Sequence, residues 1–440
     1  MGSAKWVVLI AAGFLGAGGM ALWTENHTPS QVEQSSKQLP EQNKRPLDPS
    51  IVTSKSKENV KEETQVLMND PAIKQAWGLK KSEAFKAWEI SKGSKDIVVA
   101  VIDTGIDVDH EALKENLWKN PGETGFDKDG KNKAKNGLDD DGNGFIDDVN
   151  GWNFVSNASQ LTDNHGHGTH IAGLIGARAV NGKGLVGIAP NVSLMVLKYF
   201  DPKVPNTDNL KNTINAIRYA IQMKAQIINY SGGGTEFSAE EKAAVEEARR
   251  AGVLFVAAAG NEKSNSDKHK YFPADYDLDN IISVTAIDPS TEVLASSNYG
   301  VETVDLAAPG QNILSTLPGN SYGYMTGTSQ ATAFVSGAAV LFMALRKNVN
   351  PDDVKKYILA TGDSNMSLMA KTNTSRQLNL FKALTMLESS IGVSGAIAAN
   401  VADQSFTANP VVSADPSRQI SHFGKSLMES LEQNQIRKKN

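Results

Sequence analysis

The sequence predicts an α/β fold, a three-layer, mainly parallel sheet with helices on both faces. Three observations predict it. Short runs of apolar, largely β-branched residues recur without alternation, as in strands buried on both faces. Helical stretches of about 10–15 residues separate them, the pattern of βαβ units. From Ser329 to about Leu345 the chain is small or apolar almost throughout, with no charge and no proline; such a helix is buried all round.

The elements follow in order. Asp70 to Glu89 reads as a surface lead-in, with Trp77, Leu79, Phe85 and Trp88 as docking apolars. Ile97 to Ile102 is an unbroken apolar strand that ends in Asp103-Thr104-Gly105. Ligands of open parallel sheets bind outside the carboxyl ends of the strands, where Asp103 stands. A buried carboxylate costs free energy unless it is paired, so Asp103 needs a partner. Val192 to Leu197 reads as a strand, Asp208 to Lys224 as a helix, Gln226 to Asn229 as a strand and Ala239 to Arg250 as a helix. Val253 to Ala258 and Ile281 to Ile287 are further strands. Gly327 and Thr328 mark a turn and a cap before the buried helix. That puts Ser329 in its first turn, beside unpaired N–H groups and the positive dipole end.

The two ends differ from this body. Residues 6–23 are 18 uncharged residues with a tryptophan at each end, enough to span a bilayer. A cleaved signal peptide and a retained N-terminal membrane anchor both fit them, and either implies export, to the outside, the periplasm or the outer face of the inner membrane. Residues 24–68 are a polar linker or short pro-region, and 390–440 a polar tail that includes a short amphipathic helix over Gly424 to Ile436. The chain of 440 residues has net charge −5 and no cysteine. It offers no thiol nucleophile and no Cys-ligated zinc. Without a basic run, nucleic acid is not an expected partner.

The chemistry-bearing residues gather at few places. Of seven histidines in the chain, His165, His167 and His170 fall together, before small and apolar residues that suggest another buried helix. Either His167 is a general base held by a carboxylate, or the three histidines help to bind a transition metal; no H-E-x-x-H is present. Asp103-Thr104-Gly105 would also suit an aspartic protease, but no second such motif occurs. A serine hydroxyl needs a base, and the base needs a third group to fix its tautomer. Asp103, His167 and Ser329 supply those types in the order Asp…His…Ser.

The flanking residues are specific. Val101-Ile102-Asp103-Thr104-Gly105-Ile106-Asp107, Gly166-His167-Gly168-Thr169-His170-Ile171-Ala172-Gly173 and Gly327-Thr328-Ser329 closely resemble the three catalytic motifs of the subtilisin-like serine proteases. The resemblance covers roughly residues 69–389 and implies the subtilisin-like fold over that catalytic domain. It implies Ser329 as nucleophile, His167 as general base and then acid, and Asp103 as orienter of His167. Ala257-Ala258-Ala259-Gly260-Asn261 is similar to the segment that carries the oxyanion-hole asparagine, here Asn261. Ser231, Gly232 and Gly233 are similar to the family's substrate-pairing edge. With Ala258, Ala259 and Gly260 opposite, they would line the pocket for the side chain before the scissile bond. Neither segment is charged, so an uncharged, preferably apolar or aromatic side chain is expected there. The implied activity is peptide-bond hydrolysis by a monomer, through an acyl-enzyme, on polypeptide substrates. The rival is a silent peptide-binding scaffold of the same fold.

The chain departs from the family pattern after the serine, where Gln330 replaces methionine and Ala333 proline. At Ala112 it lacks an aspartate that many members use for calcium. An acidic insertion supplies another candidate: Asp139-Asp140-Asp141-Gly142-Asn143-Gly144-Phe145-Ile146-Asp147 matches the first nine positions of an EF-hand-type loop. Oxygens of Asp139, Asp141, Asn143, the Phe145 carbonyl and Asp147 would hold a structural Ca2+, with Gly144 at the sharp turn.

Overall fold

A computed structural model describes residues 71–179, 185–346 and 349–387. The expected leader, linker and tail lie outside the described residues. Eleven strands form among them. Nine make one sheet in the order β10-β11-β7-β6-β5-β4-β1-β3-β2, and two make a separate hairpin. The central strands are β1 (Gly93–Asp103), β3 (Asn191–Lys198), β4 (Ile227–Tyr230), β5 (Leu254–Ala258) and β6 (Ile281–Ile287). The flanking ones are β2 (Gly151–Asn153), β7 (Leu306–Pro309), β10 (Asp363–Ser364) and β11 (Arg376–Gln377); β8 (Ile313–Leu317) and β9 (Ser321–Met325) pair as the hairpin. Every neighbouring pair in the large sheet is parallel except β10 with β11 at one edge.

Alternate residues of β1 explain its unbroken apolar run. Val99 and Val101 enter one core, and Ala100 and Ile102 enter the other. On the first face lie α1 (His167–Gly176), α4 (Thr328–Leu345) and α5 (Pro351–Thr361); on the second lie α2 (Asn209–Gln222) and α3 (Ala239–Arg250). This is the expected three-layer arrangement. α4 is buried from Thr328 through Met343 and packs across β1, β4, β5, β6 and β7. Its apolar composition is therefore that of a core helix.

The chain returns from β2 and β3 on one side of β1 and then continues through β4 on the other. Strand order thus reverses at β1, where a parallel sheet opens a crevice at the strand ends. Asp103 ends β1 at that point, in register with Lys198.

Two expectations need correction. The surface lead-in belongs to the core: Trp88 is fully buried, its Nε1–H donates to the Ile188 carbonyl at 2.8 Å, and Leu79 and Ala84 are buried with it. Gly327, not Thr328, occupies the N-cap position of α4, and Thr328 is the first helical residue. The short strands β2, β7 and β8–β9 were outside the expectations. They are three to five residues long, too short for a periodic signal.

Candidate active site

Asp103 is buried at the end of β1. Its Oδ1 lies 2.7 Å from His167 Nδ1 and accepts the Thr104 backbone N–H at 2.8 Å. These are the partners that a carboxylate in that place requires. His167 opens α1, and the helix start presses on the strand end. A Cβ on Gly168 would lie 2.0 Å from the Gly105 carbonyl oxygen, so only glycine lets His167 come this close to Asp103.

Asp163 fixes the junction, although no sequence motif singled it out. Its Oδ1 accepts from the Thr104 hydroxyl (2.8 Å) and from the backbone N–H of Gly166 (2.8 Å) and His165 (3.0 Å). Its Oδ2 accepts from the Thr169 N–H (2.9 Å) and hydroxyl (2.7 Å). It therefore does the work of a cap for a helix whose N-cap, Gly166, has no side chain. Its place just before the helix was the available signal. The adjoining loop is tied down by Asn164, which donates to Asp201, itself in a buried ion pair with Lys198 at 2.7 Å.

The electrostatics of His167 follow from this packing. Burial works against the imidazolium. The charge and hydrogen bond of Asp103, with Asp163 behind, outweigh it and hold His167 above its ordinary value of 6.5. His170 faces the other way. Its Nε2 meets the carbonyls of Ile313 (3.0 Å) and Gly323 (3.2 Å), and burial lowers its pKa to about 4. The two histidines thus have separate partners, and His170 ties α1 to the β8–β9 hairpin as a neutral ring.

Ser329 is the second residue of α4, and its hydroxyl donates to the Ser231 carbonyl at 3.1 Å. Asn261 follows the β5 end. Its Oδ1 accepts the Thr328 N–H (3.1 Å) and hydroxyl (3.3 Å). One orphan N–H of the α4 terminus is satisfied in this way, and the amide Nδ2 is the donor group of the Asn261 side chain. Ser231, Gly232 and Gly233 leave the end of β4, and Ala258, Ala259 and Gly260 the end of the adjacent β5. The structure thus brings the ten sequence-predicted catalytic and pocket residues to neighbouring strand ends and helix starts.

The acidic loop forms a separate cluster. Carboxylate oxygens of Glu123, Asp139 and Asp141 lie within 4.8 Å of one another. Backbone N–H groups of Gly142, Asn143 and Gly144 converge on Asp139, and Gly144 makes its turn at φ 97°. Asn143 is turned toward Asp148 (2.8 Å), Phe145 packs edge-on against Trp152 and Tyr219, and Asp147 accepts the Gly137 N–H. Glu123, which the loop motif does not include, is fully buried. Its Oε1 accepts the Asp140 N–H at 2.7 Å, and its Oε2 has no hydrogen-bond partner. Burial pushes the Glu123 carboxyl up, against the Asp140 hydrogen bond and together with the nearby Asp148, Asp140 and Asp141 charges.

A serine at a helix start, a histidine bonded to a buried aspartate and an asparagine bonded to the same helix start are the residue types that a serine hydrolase uses. Comparison with known proteins agrees. Residues 94–382 match the model of the Subtilase family, and the chain belongs to that family. It is 37% identical over 266 residues to the "Major intracellular serine protease" of Bacillus subtilis (strain 168), covering 60% of this chain and 73% of that protein. It is 35% identical over 262 residues to the "Thermophilic serine proteinase" of Bacillus sp. (strain AK1), covering 56% of the relative. It is 32% identical over 277 residues to "Subtilisin-like protease 2" of Plasmodium falciparum (isolate 3D7), of which it spans 19%. The crystal structure of a cold adapted subtilisin-like serine proteinase superposes with a TM-score of 0.51 at 26% identity, covering 64% of this chain and 88% of the other. Serine endopeptidase, acting on polypeptides, is the enzyme class these relationships support.

Proposed function

We propose that the chain hydrolyses peptide bonds through Ser329, His167 and Asp103. Ser329 Oγ gives up its bond to Ser231, passes its proton to His167 Nε2 and bonds to the scissile carbonyl carbon. Asp103 holds Nδ1–H and stabilises the imidazolium. Asn261 Nδ2 and the Ser329 N–H receive the charge that develops on the carbonyl oxygen. His167 then protonates the leaving amine as the C–N bond breaks, and water releases the acyl group by the reverse sequence. The observation that carries this reading is the 2.7 Å His167–Asp103 pair at the sheet's switch point, with Ser329 on the adjoining helix start. A silent peptide-binding scaffold of the same fold is the alternative, and the same experiment separates the two. Wild type and Ser329→Ala are offered casein in calcium buffer and a fluorophosphonate label. Cleavage and labelling by wild type alone are expected. A folded wild type that does neither is a peptide-binding scaffold.

The acidic loop is proposed to hold a structural Ca2+ on Glu123, Asp139 and Asp141. All of the donors are oxygens, as calcium prefers, and the buried Glu123 Oε2 lacks any other partner. Asn143, the Phe145 carbonyl and Asp147 complete the proposed loop. A bound cation would stabilise the folded state. Residues 69–389 are proposed as the catalytic domain of a monomer, exported by a signal or anchor at 6–23. Fractionation of cells that express the full chain tests the export.

A further inference from the structure

This inference rests on the serine-peptidase reading and concerns the pocket of the same site. Both pocket walls carry a glycine that faces the same object. A Cβ on Gly233 would lie 2.5 Å from Cε1 and 2.9 Å from Cζ of Tyr271, and one on Gly260 would lie 3.0 Å from Tyr271 Cδ1. One edge of the ring therefore reaches from the β5 wall to the β4 wall, and a Cβ at Gly233 would collide with it, whereas one at Gly260 would meet Glu262 and Asn298 first and touch the ring at 3.0 Å.

The ring is held from behind. The Tyr271 N–H donates to Asp275 Oδ2 at 2.7 Å, and the Asp275 N–H returns a bond to the Tyr271 carbonyl at 3.0 Å. The next residue, Phe272, is paired with Gly234 by two backbone hydrogen bonds of 2.7 and 2.9 Å. Phe272 also stacks on Tyr276 at 4.8 Å. Backbone bonds on both sides thus fix Tyr271 to the wall segment itself, so it is a part of the pocket and not a surface side chain lying over it. Glu262 is a charge on the Gly260 wall. Its Oε2 is engaged by Asn298 Nδ2 at 2.7 Å behind Gly260.

We propose that Tyr271 is the floor of this pocket and makes it shallow, so that the side chain accepted before the scissile bond is small and uncharged, of alanine size. The space that an aromatic or long aliphatic side chain would need is taken by the phenol ring. The preference for a large apolar residue that uncharged walls alone suggest is thereby reversed.

The test uses the full chain and fluorogenic peptides that differ only in Ala, Phe or Lys before the scissile bond. Wild type is expected to favour Ala over Phe by about tenfold or more in kcat/KM, the discrimination a filled apolar pocket achieves. Tyr271→Ala and Tyr271→Leu should each shift the ratio toward Phe by about tenfold or more, while Tyr271→Phe, which keeps the ring, retains the wild-type order. The variants are labelled with fluorophosphonate in parallel. A labelled wild type that prefers Phe overturns the inference. So does a preference for Lys, which would point to Glu262, or an unchanged ratio in a labelled Tyr271→Ala. A folded wild type that shows neither labelling nor cleavage overturns the serine mechanism, and the inference with it.

Discussion

At the carboxyl end of β1, the buried carboxylates of Asp103 and Asp163 meet donors from the protein. His167 and the Thr104 N–H serve Asp103, and five donors from Thr104, His165, Gly166 and Thr169 serve Asp163. In the acidic loop the equally buried Glu123 has one oxygen on the Asp140 N–H and one with no donor, against Asp139 and Asp141. The first region is electrostatically complete in itself, because rigid strand and helix ends aim N–H groups and an imidazole at each charge. The second gathers like charges: backbone N–H groups of the loop cover Asp139, but Glu123 Oε2 meets no donor, and the proposed cation would complete it. The carboxylates of the first region tune a histidine, and those of the loop are proposed to stabilise the fold through a bound cation.

The contrast can be broken most strongly at the catalytic end. Asn261→Ala is expected to lower kcat by about 10²–10³-fold with KM little changed, a size known from the equivalent donor of subtilisin itself. Steady-state kinetics on one peptide read it, and a fall below threefold would remove Asn261 from the oxyanion site. Fluorophosphonate labelling should persist, since Ser329 and His167 remain.

The coupling of His167 to Asp103 sharpens the same side. Because His167 sits above 6.5, and only its neutral form accepts the serine proton, kcat/KM should fall on acidification with a midpoint above 6.5. In Asp103→Asn the raising charge is gone and burial is left, so the ring's midpoint should drop, as NMR titration of the imidazole would reveal. A midpoint that rises or stays in place would show that Asp103 does not set it.

At the loop, calcium at a hundred times its dissociation constant adds about 2.7 kcal/mol to stability. Chelation should therefore lower Tm, by roughly 2–4 °C per kcal/mol or somewhat less in a domain of this size. Glu123→Gln should abolish most of that calcium-dependent increment and leave the His167 titration unchanged. Equal Tm with calcium and with chelator would mean that the acidic cluster is only a solvated turn.

The smallest effect is chemical. Gln330 lies buried beside Ser329 and offers no thioether to oxidise. Wild type should keep its activity in peroxide better than Gln330→Met, as residual hydrolysis after exposure would measure. Inactivation of both at one rate would sink the idea.

The strand Ile97–Ile102 and the helix Ser329–Leu345 were legible in the sequence because burial on every side leaves a continuous apolar run. The Ala239–Arg250 helix and the Ile281–Ile287 strand were legible to the residue. α5 lies outside those expectations although Asn350-Pro351 carries cap and first-turn signals. The types and order of Asp103, His167 and Ser329 were readable because each stands in a local motif whose glycines and small residues have fixed uses. What the sequence by itself determined was therefore the layered fold, the family resemblance and the reactive groups. The tertiary structure alone decided how those groups are held and what fills the space around them. Asp163 braces the histidine, Glu123 enters the acidic cluster, and Tyr271 crosses between Gly233 and Gly260. Each acts through chain distant in sequence from what it touches or through a buried pairing with no local period. Such contacts arise only when the strand ends and loops are packed together.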